Sequence, residues 1–101
     1  MTLPNTDYEM QTTFWTDFSI ADAFGVDAVQ DTYDRAFAEW KDNPVYLTEL
    51  AMVTNHKCWQ HYAEGRGTLS KKYEELYWKT DTYALDHLKD DDLTYYWRTM
   101  D

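Results

Sequence analysis

Residues 1–34 contain no lysine and no arginine. Binding to DNA, RNA or an anionic lipid surface depends on those side chains displacing counterions from phosphates, so this third of the chain should repel all three. Seven acids stand there: Asp7, Glu9, Asp17, Asp22, Asp27, Asp31 and Asp34. The remaining 67 residues hold twelve acids and nine bases, so most of the formal net charge of −10 sits at the front. Cysteine occurs once, at Cys58, and one cysteine forms no internal disulfide. Only three glycines and two prolines occur, too little turn punctuation for a sandwich or barrel of many short strands. The most apolar stretch, PVYLTELAMVTNHKCWQHYA, is broken by Glu49, His56, Lys57 and His61 and falls short of a membrane span. The opening MTLPNTDYEMQTTF has neither a basic start nor an apolar run, so a secretory signal is not expected and the protein reads as cytoplasmic.

What the chain does have is core material. Apolar residues make up 44% of it and aromatic residues 18%, with five Trp and nine Tyr, and 101 residues suffice for one domain. The period of the apolar positions is helical. Val26, Val29, Tyr33, Ala36, Phe37 and Trp40 share one face of a helix ending near Lys41, and Asp27, Asp31 and Asp34 line the other as an acidic stripe. Before it, TTFWTDFSIADAF reads as a helix with Phe14, Phe18, Ala21 and Phe24 inward, closed by Gly25 in the left-handed conformation. Residues 1–12 read as irregular.

After the acidic helix, Asn43 is a natural N-cap and Pro44 a natural first helical residue. The third helix, to about Glu64, shows Leu47, Leu50, Ala51, Cys58 and Tyr62 on one face and Met52, Trp59 and Ala63 on another, so it should be central. Gly65 and Gly67 end it; no Lys-Ser or Lys-Thr follows, so they make no phosphate loop. A fourth helix from Thr68 to about Leu88 buries Leu69, Tyr73, Leu76, Tyr77, Ala84 and Leu88, with Glu75 and Lys79 as an exposed i,i+4 pair. KDDDLTYYWRTM supplies acidic caps and a short closing helix on Leu93, Tyr96, Trp97 and Met100. The expected fold is therefore all-α, a single-domain bundle of four main helices plus a short C-terminal one. Trp40, Trp59, Trp78 and Trp97 recur every 19 residues, but their neighbours do not follow, so no repeat is inferred.

Three patterns bear on function. IADAFGVDAVQDTYDR has the outline of a helix-turn-helix, yet Asp31 and Asp34 occupy the positions where that motif buries aliphatic residues, and its second helix would offer aspartates to phosphates. It is more simply a helix corner, and direct nucleic-acid binding is not expected. HKCWQH offers Cys58 and His61 on one helical face, the minimum for a nucleophile and its base, but two residues make no metal site and Glu-x-x-His is absent. No cofactor, metal or catalytic residue is assigned. Lastly, Trp15, Tyr8, Tyr46, Trp78 and Tyr95 fall off the main seams, as satellite packing or as a protein-binding patch.

TDFSIADAFGVDAVQDTYDRAFAEWKDNPVYLTELAMVTNHKCWQHY resembles a group of small acidic helical proteins of Firmicutes that are encoded in conjugative elements. The likeness runs from Phe14 nearly to the C-terminus; it implies a mobile-element setting and supplies no catalytic residues. The reading that follows is a non-enzymatic protein-interaction or regulatory module with Asp27, Asp31 and Asp34 as the contact stripe for a basic protein partner, homo-oligomerisation being open. Two alternatives stand beside it. One is a DNA mimic of the anti-restriction or anti-CRISPR type, which requires the stripe to continue through Asp17 and Asp22; the other is a small enzyme built on Cys58 and His61.

Overall fold

Gly25 alone separates the first two helices. Its φ of 107° and ψ of −175° lie in a region essentially closed to residues with a Cβ. Its N–H closes one helix on the Ala21 carbonyl at 3.1 Å, and its own carbonyl opens the next by accepting from Val29 N at 3.1 Å. In place of the expected left-handed helical terminator stands a glycine whose φ is positive but whose ψ lies near 180°, and the corner has no intervening loop. In the computed structural model, which describes residues 3–100 and side chains from Thr13 to Met100, these helices are α1 (Leu3–Phe24) and α2 (Val26–Trp40). Residues 3–12 are helical where irregular chain was expected: Pro4 falls in the first turn, where a missing N–H costs nothing, and no glycine follows before Gly25. Residues 1 and 2 lie outside the described residues.

Three further helices follow: α3 (Pro44–Ala63), α4 (Gly67–His87) and α5 (Asp90–Met100). The Asn43 side chain caps α3 by accepting from Val45 N at 3.1 Å and Tyr46 N at 3.2 Å, with Pro44 in the first turn. The far end of α3 closes in a Schellman motif. Gly65 takes φ 79°, Gly65 N donates to the Tyr62 carbonyl at 3.2 Å, and Arg66 N donates to the His61 carbonyl at 2.8 Å. Asp90, Asp91 and Asp92 place negative charge in the first turn of α5, against the positive end of its dipole.

Helix α3 packs against each of the other four, as a helix apolar on much of its circumference must. One core cluster gathers Phe14, Phe18 and Ala21 of α1, Val29 and Tyr33 of α2, Leu50 and Val53 of α3, and Tyr73 and Leu76 of α4. A second joins Leu47, Ala51, Ala84, Leu88 and Tyr96. Phe37 bridges the two, stacked on Tyr33 at 5.6 Å and edge-on to Tyr83 at 5.0 Å. The radius of gyration is 13.1 Å, as a single domain of this length requires. The described residues form an all-α bundle of four main helices and a short fifth, and none of those helices is long and apolar enough to cross a membrane.

Several facings differ from expectation. Phe24, Trp59, Tyr62, Ala63 and Trp97 are exposed, while α3 turns Lys57 and His61 inward instead. Lys79 does not pair with Glu75; its ammonium lies over the rings of Tyr33 and Phe37, 5.5 and 5.3 Å from their centroids, and Glu75 meets Lys72 at 3.4 Å. An ammonium over two largely desolvated rings gains more than an exposed ion pair does.

Candidate functional site

The three stripe residues Asp27, Asp31 and Asp34 are all exposed, and no base lies within ion-pair distance of them among the described residues. Asp34 accepts from Gln30 Nε2 at 2.8 Å, and Gln30 Oε1 in turn accepts from Lys72 at 3.0 Å, so the nearest tether from α4 stops one residue short of the carboxylates. Beside the stripe runs a crease between α1 and α2. One hollow of about 360 Å³ is lined by Asp17, Ile20, Phe24, Ala28, Asp31 and Arg35 among others. It adjoins a second of about 280 Å³ towards Phe14, Glu39 and Trp40, the two sharing Asp17, Thr32 and Arg35. Phe24 is 79% exposed and Ile20 57%, so the open end of the crease is apolar while its walls are acidic.

Asp22 behaves differently from Asp17, Asp27, Asp31 and Asp34. It does not extend the stripe, because α1 turns it inward, where the Lys57 ammonium donates to its Oδ2 at 3.0 Å and the Tyr73 hydroxyl donates to its Oδ1 at 2.5 Å. His61 completes the set at 2.9 Å through Nε2. The tautomer follows from geometry: Arg66 Nε–H donates to His61 Nδ1 at 2.8 Å, so Nδ1 is bare and the proton sits on Nε2, facing Asp22. Lys57 also donates to Ser19 Oγ at 3.0 Å and lies 5.6 Å from the centre of the Trp15 ring. The His61 ring stacks on Tyr73 at 5.5 Å. A carboxylate taken from water is thereby satisfied by three donors from α3 and α4, which ties three helices together. Burial, reinforced by the Asp22 carboxylate, pushes the Tyr73 hydroxyl far above the ordinary tyrosine range.

The same network separates Cys58 from His61. Both imidazole nitrogens are engaged elsewhere, and the Cys58 thiol faces the Ser70 hydroxyl at 3.7 Å, with Ser70 donating to the Cys58 carbonyl at 2.9 Å. No nucleophile-base contact exists between them. Among the described residues no three His, Cys, Asp or Glu side chains converge as a metal site would need. Cys58 does edge a hollow of about 460 Å³ between α3 and α4, with the exposed rings of Trp59 and Tyr62 at its mouth.

Two further buried tyrosines hold helices in register. Thr80 spends its proton on the Leu76 carbonyl at 2.8 Å, so at 2.7 Å it is the Tyr33 hydroxyl that donates to Thr80 Oγ1. Burial pushes that hydroxyl up to about 12. Tyr96 of α5 donates to Asp81 Oδ1 at 2.5 Å, and burial followed by that carboxylate raises it well above the usual range. Of the aromatics off the seams, Trp15 packs edge-on to His56 at 5.9 Å and Tyr46 on Trp40 at 4.1 Å, Tyr95 is half-buried, and Trp78 is exposed. The side chain of Tyr8 lies outside the described residues.

No family model matches the chain, and neither a curated protein nor a solved structure is significantly similar to it.

Proposed function

We propose that this protein is a non-enzymatic protein-interaction or regulatory module that docks a basic protein partner on the outer face of α1 and α2. The observation that carries the reading is the pairing of a largely exposed Phe24 and Ile20 with the unpaired carboxylates of Asp17, Asp27 and Asp31. Aspartates alone are what any acidic protein shows to water. Two large apolar side chains exposed beside them, when Phe18, Tyr33, Tyr73 and Tyr96 are fully buried, are what an anchor-and-rim interface looks like before its partner arrives. A cytoplasmic, mobile-element setting belongs to the same reading, supported by the sequence resemblance and by a free, half-buried Cys58.

The DNA-mimic alternative draws less support, since the carboxylate array it needs loses Asp22 to the interior. The Cys58–His61 enzyme draws none from the geometry, because the two side chains face different partners. The test is affinity capture from the native host with wild type and with Asp27→Lys/Asp31→Lys/Asp34→Lys, after circular dichroism shows both folded. A partner held by wild type and lost by the variant is expected; identical capture of every partner refutes the reading.

A further inference from the structure

The crease between α1 and α2 has dimensions as well as charge. Its two hollows run from Ala28 to Trp40 along α2, which at 1.5 Å per residue is about 18 Å, or a little over three helical turns. Acids stand on both walls: Asp17 on α1, Asp31 and Glu39 on α2, with Arg35 the one base lining it among the described residues. Building on the docking reading above, we infer that its occupant is a cationic amphipathic α-helix of about three turns, lying along the crease with an apolar pair against Ile20 and Phe24 and Lys or Arg on its flanks.

Three considerations select that occupant. An extended peptide gains affinity mainly through backbone hydrogen bonds to a sheet edge, and the described chain has no strand; beyond their end turns, the N–H and C=O groups of α1 and α2 are used within those helices. A helix arrives with its own backbone satisfied and needs only side-chain pockets. A second copy of this chain is disfavoured by its net charge of −10, which likewise excludes nucleic acid and anionic lipid. A partner with apolar anchors and basic flanks meets both the exposed rings and the carboxylates, and its charges also speed encounter.

Three labelled peptides of about 15 residues test this by fluorescence anisotropy: a Leu/Lys peptide with leucines at i, i+3, i+4 and i+7, its scramble without helical spacing, and a Lys/Ser/Gly peptide of equal charge. The helical peptide should bind most tightly, about tenfold weaker to Phe24→Ala, an exposed side chain whose loss spares the core. Asp17→Asn/Asp31→Asn should weaken it several-fold at about 0.05 M salt and less at about 0.3 M, where screening has removed much of the attraction. The triple change Asp90→Asn/Asp91→Asn/Asp92→Asn, on α5, should leave it unaltered. Equal binding of helical and scrambled peptides, indifference to Phe24→Ala, or an equal loss in the α5 variant overturns the inference. Tight binding of the Lys/Ser/Gly peptide that needs Asp31 and ignores Phe24 also overturns it, while leaving the acidic docking face standing. If none of the three peptides binds, the helix occupant is wrong, and the capture comparison alone decides the docking reading.

Discussion

Among Asp17, Asp22, Asp27, Asp31 and Asp34, Asp22 should be the most damaging to replace by alanine. The Lys57 side chain is 4% exposed and that of Asp22 15%, so the pair is screened by little water. Removing one partner of a buried ion pair leaves the other charge uncompensated, a loss of about 3–5 kcal/mol; the partial exposure of Asp22 argues for the lower end, about 3 kcal/mol. His61 loses the acceptor of its Nε2–H at the same time, whereas Tyr73 can still donate to the Phe18 carbonyl at 3.4 Å. For a domain of this size about 3 kcal/mol lowers Tm by about 15 °C. Thermal and urea unfolding followed by circular dichroism would read it. Asp31→Ala, on an exposed position, should stay within about 0.5 kcal/mol of wild type. The double change Asp22→Leu/Lys57→Met should recover the part of the loss that comes from the uncompensated Lys57 charge, while His61 still lacks its acceptor. If Asp22→Ala and Asp31→Ala prove equally mild, the network does not hold the helices, and the burial argument is refuted.

Two smaller perturbations test the corner and the buried hydroxyls. Gly25→Ala meets no atom within 4 Å, so its cost of about 1–3 kcal/mol would be purely conformational, from a φ of 107° that alanine avoids; a change below about 0.3 kcal/mol in urea unfolding would show that the corner relaxes freely. Tyr33 titrates at about 12 in the folded chain against 10.0 unfolded, so the folded state holds its proton longer. That contribution, on the order of 2–3 kcal/mol, is complete below pH 10 and disappears as pH rises through 12, and Tyr33→Phe should flatten stability over this window.

What could be read from the sequence was whatever one helix decides by itself. The two-sided pattern of α2, with Val29 and Tyr33 inward and three aspartates outward, needs no neighbour to be recognised, and the Asn43–Pro44 start of α3 is equally local. Facing on α3 is not local. Leu47, Leu50, Thr54, Lys57 and His61 form one continuous seam at helical spacing, and all five are buried, yet hydropathy diverts attention to Cys58 and Tyr62. Lys57 and His61 go inside only because Asp22, thirty-five and thirty-nine positions away, is there to receive them. The signal available in the sequence was the seam itself, followed through its polar members. Phe24 errs the other way: it is the last residue of α1, one before the corner, so the period of α1 points it inward while the chain leaves it outside.

One turn of α1 thus faces two worlds. From inside, Asp22 is clamped by groups on two other helices; from outside, Ile20 and Phe24 flank it on the same turn and stand in water. On the docking reading proposed above, the clamp fixes their backbone, so those two side chains would be held ready rather than gathered at the moment of encounter, and the proposed helix would need to restrict only a few rotamers. The crease should therefore act as a rigid mould: it should discriminate sharply by shape, and mutations at Lys57 or Tyr73, though neither borders the crease, should blunt that discrimination.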